Sequence, residues 1–342
     1  MSRADGRRVL VARLDADGDV LLAGPAVRAV AAAAPVVLLV GPRGRQAAAM
    51  LPGVDQVVEW AAPWIEPAPA PVASPDHVGA LVHAVRTLDV REAVLLTSFH
   101  QSALPLALLL RLAGVERIGA VSEDYPGSLL DVRLPDQGNR PEPERALAVA
   151  AATGFPLPPG DDGRLAVRRP LPDTSRLTGP APYVVLHPGT SVTARAWPVE
   201  GWRATARQLA RSGRRVVVTG GPSEADLTAE VARHGGVDLG GRTSLPELAD
   251  VLDRASAVVV ANTGPAHLAA AVGTPVVSLF APTVPAARWA PYGVPTVLLG
   301  DQEAPCRASR ATTCPVPGHP CLAGVDAGDV LDALDALTEA AA

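Results

Sequence analysis

The chain has 342 residues, of which 48% are hydrophobic and 19% charged, a composition that can bury the cores of two ordinary domains. A formal net charge of −5 excludes bulk nucleic-acid binding, which needs a basic surface, and three cysteines exclude a disulfide framework. All 30 basic residues are arginine, so a phosphate clamp here must use guanidinium groups, backbone N–H groups or helix amino termini.

Residues 1–8 are polar and charged, and no signal-peptide apolar region follows them. The longest apolar stretch, 103–110, is broken by Arg111 and is too short to span a bilayer. A cytoplasmic protein is expected, with peripheral contact at the inner membrane face left open.

In chain order, 8–13 (RVLVAR) is a short apolar run and predicts a buried strand, followed by a Gly-containing loop and a helix-like stretch over 19–34. Further strands are expected at 35–40 (PVVLLV), 56–60 and 93–97 (AVLLT), with helices over 76–88 and 102–113, the latter closed by Gly114. A Pro-rich loop covers 60–75, and the pattern stops over 154–182, a Pro-, Gly- and Asp-rich connector. The alternation then restarts. Strands are expected at 183–187 (YVVLH), 215–219 (RVVVT), 257–261 (AVVVA) and 275–280 (PVVSLF). Helices are expected between Pro198 and Gly213, over 223–234, over 248–255 behind the capping-box spacing Ser244-x-x-Glu247, over 265–272 and over 329–339. Buried strands alternating with helices imply an α/β protein with two Rossmann-like parallel-sheet domains facing a central cleft. The expected spans are 1–165, 180–325 and a C-terminal helix over 326–342. Ligands bind outside the carboxyl ends of such sheets, so the loops there carry the chemistry.

Four of those loops stand out. Residues 262–267 (NTGPAH) follow a strand and open a helix: Thr263 suits the cap, Gly264 permits close backbone approach, and Pro265 suits the first turn. Such an amino terminus can hold a diphosphate, with Asn262 and His267 beside it; the plain alternative is an ordinary strand–turn–helix. Residues 187–198 (HPGTSVTARAWP) place His187 at a turn, hydroxyls on Thr190, Ser191 and Thr193, and the Arg195 fork near phosphate oxygens, or else form a polar solvated loop. Residues 13–24 (RLDADGDVLLAG) lack the dinucleotide glycine fingerprint but carry Asp15, Asp17 and Asp19 around Gly18. Asp19 is either a general base or an acidic helix start. Glu224, after Gly220-Gly221-Pro222-Ser223, either binds a ribose or sugar hydroxyl or caps a helix.

Together these segments resemble glycosyltransferase family 9. The resemblance is carried by Gly18-Asp19 before an apolar helix, His187-Pro-Gly, Arg195-Ala-Trp197-Pro198, Gly220-Gly221-Pro222 and Thr263-Gly264-Pro265-x-His267, in register over most of the chain. It implies a GT-B fold and an inverting, metal-independent enzyme that moves a heptose or related sugar from a nucleoside diphosphate, ADP-heptose-like, to an acceptor hydroxyl, with no cofactor. The acceptor would be a glycan, a lipid-linked sugar or a small molecule, and no nucleic acid is involved. It further implies that Asp19 deprotonates the acceptor, Arg195 binds donor phosphate in place of the family's usual Lys, and Glu224 holds the ribose. Thr263, Gly264 and His267 would line the diphosphate, with Thr190 and Ser191 near. Asn262 stands where the family usually has Asp. His100 and Gln101, in the loop 98–101, and Asp124, in 122–125, are candidate acceptor contacts or plain surface loops.

Cys306, Cys314, His319 and Cys321 have the spacing C-x7-C-x4-H-x-C, which reads either as a structural zinc knuckle or as reduced thiols in a loop. Two other functions remain in view. A GT-B-like sugar-nucleotide epimerase needs further acid/base residues that the sequence does not offer. A non-catalytic sugar-nucleotide-binding protein is compatible with the Asn262 departure.

Overall fold

The computed structural model describes residues 8–339; the polar segment 1–7 lies outside the described residues. The chain divides into two compact units, Met1–Arg168 and Arg169–Ala342.

The first unit is one six-stranded sheet with helices between its strands. Its strands are β1 (Arg8–Arg13), β2 (Val36–Val40), β3 (Val54–Glu59), β4 (Val90–Leu95), β5 (Arg117–Val121) and β6 (Val132–Leu134). All pair in parallel, in the order β3-β2-β1-β4-β5-β6. The helices are α1 (Asp17–Leu22), α2 (Gly24–Ala31), α3 (Arg45–Met50), α4 (Pro75–Thr87), α5 (Leu104–Leu112) and α6 (Glu142–Thr153). Side chains alternate across a strand, and both faces are covered. Leu10, Ala12, Val37, Leu39, Ala93 and Leu95 pack with Leu81 and Val85 of α4 and Leu106 and Leu110 of α5. Val9, Val11, Val36, Leu38 and Val94, which alternate with them, are buried as well. This double burial is why the strands read as unbroken apolar runs.

The helix expected over 19–34 is two helices. Pro25 sits in the first turn of α2 and has no N–H to give to the preceding turn, so α1 closes at Ala23 and α2 starts afresh. Part of the expected connector also belongs to this unit. Asp161 grips Arg28 through two hydrogen bonds of 2.7 Å, and the Arg168 guanidinium donates to the carbonyls of Leu51 and Val54.

The second unit repeats the plan. Its strands are β7 (Val184–His187), β8 (Val216–Gly220), β9 (Gly236–Gly240), β10 (Ala257–Ala261), β11 (Val276–Leu279) and β12 (Thr296–Leu299), all parallel, in the order β12-β11-β10-β7-β8-β9. Its helices are α7 (Ser175–Thr178), α8 (Val199–Arg211), α9 (Ala225–Ala232), α10 (Leu245–Asp253), α11 (Gly264–Val272), α12 (Ala286–Trp289), α13 (Pro320–Ala323) and α14 (Ala327–Glu339). Leu186, Val218, Val259 and Val277 bury against Trp202 and Leu209 of α8 and Val330 and Leu334 of α14. The Ser244–Glu247 capping box forms at the start of α10. Gly114 and Gly213 follow their helices at φ 91° and 79°, the left-handed stop that glycine takes without steric cost.

In each unit the strand order reverses direction between the first and fourth strands, β1 and β4 in one and β7 and β10 in the other. The loops leaving those strands open the crevice where sheets of this kind take ligands. The loops 13–24, 98–101, 187–198 and 262–267 leave these four strands, and 220–224 follows the neighbouring β8; the loop 122–125 follows β5, and the Cys306–Cys321 motif follows β12. Among the described residues, no helix is long and apolar enough to cross a membrane.

Candidate active site

At the crevice of the first unit, β1 ends in Arg13, which is 3% exposed. An arginine so deep must be paired, and its guanidinium is surrounded by acceptors. Nη2 donates to Asp19 Oδ1 and to Ser98 Oγ, both at 2.9 Å, and Nε lies 2.9 Å from Asp15 Oδ2. Glu142, at the start of α6, lies 3.6 Å from Arg13 Nη1 and also 3.6 Å from Arg145, which donates onward to the carbonyl of Thr97. Gln101 ties the β4 loop to the β1 loop by donating to Asp15 Oδ1 at 2.6 Å and accepting from the Ser98 N–H. Asp19 is in the first turn of α1, and its side chain keeps 23% of its surface exposed. Burial pushes the Asp19 carboxyl up to about 6; Arg13 opposes this, and Asp15 and Glu142 add to it. The group is therefore an accessible carboxylate with near-neutral proton affinity, suited to general-base work. Asp17, by contrast, accepts the Ala47 N–H at the start of α3 and serves the fold.

At the crevice of the second unit, His187 ends β7, and Asn262 follows β10. The α11 amino terminus has Thr263 in its cap position, yet the Thr263 hydroxyl donates to Ala261 O at 3.4 Å and makes no cap bond. The expected side-chain cap is thus absent; Pro265 has no N–H and the Ala266 N–H bonds Thr263 O at 3.0 Å, so the Gly264 N–H is the first-turn donor left for an outside anion. Arg195 Nη1 donates to Asn262 O at 3.1 Å, which brings the guanidinium to the same turn. Its loop is anchored by Trp197, which is buried, stands edge-on to Trp202 at 5.2 Å and donates to Val325 O. Asn262 is buried and spends its amide on the backbone of Ala281, donating to its carbonyl at 3.3 Å and accepting its N–H at 3.4 Å. It therefore braces the loop with its side chain and holds Arg195 with its carbonyl.

Both histidines are neutral at physiological pH. Burial pulls His267 down to about 4, helped by the nearby Arg195 charge, and its Nδ1 is buried without a hydrogen-bond partner among the described residues. Burial also pulls His187 down to about 4, against the attraction of Glu224. His187 Nδ1 bonds Thr219 Oγ1 at 2.9 Å, and its Nε2 lies 4.0 Å from Glu224 Oε2. Glu224 folds back to accept the Gly221 N–H at 2.7 Å. A Cβ on Gly189 would stand 2.0–2.2 Å from that carboxyl group, so a side chain there would push the Glu224 carboxylate aside. Thr190 bonds locally to Val192, and Ser191 is exposed beside it.

Each unit thus gathers its own set: Asp19 with Gln101 in the first, and His187, Arg195, Glu224, Asn262 and His267 in the second. His100 is exposed, with its ring edge-on to Phe99, and Asp124 is exposed in its loop. Cys306 and Cys321 are buried in the apolar core of the second unit, and Cys314 donates to Val316 O. Among the described residues no group of three or more His, Cys, Asp and Glu could hold a metal ion. Burial, together with the Cys306 and Cys314 thiols, pushes Cys321 up to about 11, so it stays protonated. Sequence reasoning passed over Arg13, Glu142, Arg145 and Thr219. For Arg13 there was a signal: a charged residue closing an apolar strand must find partners inside.

Residues 93–319 match the family model described as glycosyltransferase family 9 (heptosyltransferase). Lipopolysaccharide heptosyltransferase 1 of Pseudomonas aeruginosa is 36% identical over 174 residues, covering 48% of this chain and 46% of that protein. The chain spans about half the length, or less, of the curated relatives it matches. Among solved structures, a family 9 glycosyltransferase from Veillonella parvula is similar with a TM-score of 0.77 at 16% identity, covering 98% of both chains. A heptosyltransferase of E. coli solved with ADP-2-deoxy-2-fluoro heptose is similar with a TM-score of 0.70 at 22% identity, covering 96% of this chain and 99% of that chain. At these identities the structures speak for the fold.

Proposed function

Because the chain belongs to glycosyltransferase family 9, we propose that it transfers a heptose or a closely related sugar from a nucleoside diphosphate, ADP-heptose foremost, to an acceptor hydroxyl. The observation that carries this is the α11 amino terminus: a helix start with no side-chain cap, the Arg195 guanidinium on its loop and a buried His267 nitrogen in its first turn that has no partner among the described residues. A diphosphate leaving group, which gains a further negative charge as its bond to the sugar breaks, is what such a set of donors stabilises.

The bond between the anomeric carbon and the diphosphate oxygen breaks as the acceptor oxygen attacks from the opposite face, which inverts the centre. Negative charge grows on the leaving diphosphate and is met by the Gly264 N–H, the positive end of the α11 dipole and Arg195. Asp19 takes the acceptor proton, so no metal ion is needed to activate the hydroxyl. Glu224 accepts from the ribose hydroxyls, and Thr190 and Ser191 add hydroxyls near the diphosphate. Relatives named for lipopolysaccharide make a lipid-linked glycan the first acceptor to try, with His100, Gln101 and Asp124 as candidate contacts. That would place the enzyme in the cytoplasm at the inner membrane face.

The test is a thermal-shift screen of the full chain against ADP-, GDP-, UDP- and dTDP-sugars, followed by a transfer assay with the best donor. We expect stabilisation by the ADP compound, and an Asp19→Ala variant that binds donor but transfers nothing. If no nucleoside diphosphate stabilises the chain, the assignment falls.

A further inference from the structure

Buried charges in the first unit are not balanced one to one. Arg13 and Arg145 face three carboxyl groups, those of Asp15, Asp19 and Glu142. Arg13 is the hub: Nε meets Asp15, Nη2 meets Asp19 and Ser98, and Nη1 faces Glu142. The hub is itself fixed from both sides of the crevice, since it ends β1 while Ser98 and Gln101 come from the loop after β4.

We propose that Arg13 is the positioning residue for Asp19, one guanidinium divided between Asp19 and Asp15 so that Asp19 is held in place but remains a base. This builds on Asp19 serving as the acceptor base. A dedicated bidentate arginine would hold the carboxylate too well, because a fully paired carboxylate is a poor proton acceptor. Here Asp19 receives one hydrogen bond through Oδ1, from a nitrogen that also serves Ser98, and its side chain stays partly open to solvent. Asp15 and Glu142 draw on the same positive charge and repel the Asp19 carboxylate.

The charged groups on the neighbouring elements are otherwise engaged. Asp17 of α1 accepts the Ala47 N–H, Arg45 of α3 pairs with Glu59, Arg43 in the turn before α3 pairs with Glu66, and Arg28 of α2 pairs with Asp161. Arg13, Asp15 and Glu142 are thus the groups that act on Asp19, and burial with the two carboxylates outweighs Arg13 to bring its proton affinity near neutrality. The Arg13 guanidinium stays charged: burial works against it, but the three carboxylates raise it above its ordinary value.

The experiment is a carbon-13 NMR titration of the full chain labelled at aspartate Cγ, with the Asp19 signal assigned by its loss in Asp19→Asn. We expect a wild-type midpoint near 6. Asp15→Asn should lower that midpoint by about one pH unit, because it removes a repelling charge and frees the guanidinium. Arg13→Gln should raise it by a similar amount, with Arg13→Lys in between. If Arg13→Gln fails to fold, Asp15→Asn and Arg13→Lys still decide. An Asp19 midpoint that stays put in folded Asp15→Asn and Arg13→Lys overturns the proposal. In a transfer assay the acid limb of the pH profile should move with the NMR midpoint. If the midpoint moves and the pH–rate limb does not, Arg13 sets the carboxyl group but Asp19 is not the base.

Discussion

Arg195 Nη1 donates to the backbone carbonyl of Asn262 at 3.1 Å, so the cation of one crevice loop is carried by the loop that opens α11. A guanidinium held this way is preorganised for an anion at the helix start and needs no rearrangement to meet it. Arg195→Ala should weaken ADP binding by about 1.5–3 kcal/mol, the worth of a hydrogen bond to a charged group. Arg195→Lys should recover part of the loss, since a point charge cannot both hold Asn262 O and fork onto phosphate. Calorimetric titration of the three proteins with ADP reads this directly.

Gly189→Ala should displace Glu224, because the added carbon would stand 2.0–2.2 Å from its carboxyl group. If Glu224 holds the ribose, the variant should lose about 1–2 kcal/mol of affinity for ADP and almost none for inorganic pyrophosphate, which has no ribose. Equal losses for both ligands would show that the loop itself had moved.

If the donor diphosphate lies beside His267, binding should be linked to protons. In the free protein it titrates near 4, because burial and Arg195 disfavour its charge. A diphosphate beside it favours the charged ring and raises that value, so binding takes up a proton and tightens as pH falls from 8 toward 6. Calorimetry at pH 6 in buffers of differing ionisation enthalpy should show net proton uptake, and His267→Asn should abolish it.

Asp19 costs stability in its ionised form. Its folded value near 6 lies above the ordinary 3.8, so the folded state binds the proton more tightly than the unfolded one. Stability from this group is present below about pH 4 and is lost as pH rises through 6, on the order of 2–3 kcal/mol in all. Asp19→Asn should therefore melt higher than wild type at pH 8, with the difference closing toward pH 4.

Much of the architecture was legible because parallel strands covered on both faces read as apolar runs; RVLVAR, PVVLLV and AVVVA each landed on a strand. Most of what escaped was short or interrupted, although the 12-residue helix α6 escaped as well. Strand β5 carries Gly119, where a Cβ would meet Thr153 Oγ1 of α6 at 2.0 Å, and the edge strands β6, β9 and β12 have only part of their surface to bury. Helix α3, with the sequence RQAAAM, is one of the shorter helices in the first unit and gives a weak period. At the site, Asp19, Arg195 and His267 could be named from the loops that end strands. The partners that tune them could not: Glu142 is 123 residues from Asp19 in sequence, and only the fold brings α6 under the β1 loop.

Each parallel ladder closes within its own half of the chain, β1 to β6 before Arg168 and β7 to β12 after it. During synthesis the first sheet can therefore finish while the second is still being translated, and no strand waits for a partner from the later half. Misassembly by exchange of strands between the halves is disfavoured by timing, although the two sheets share one strand order.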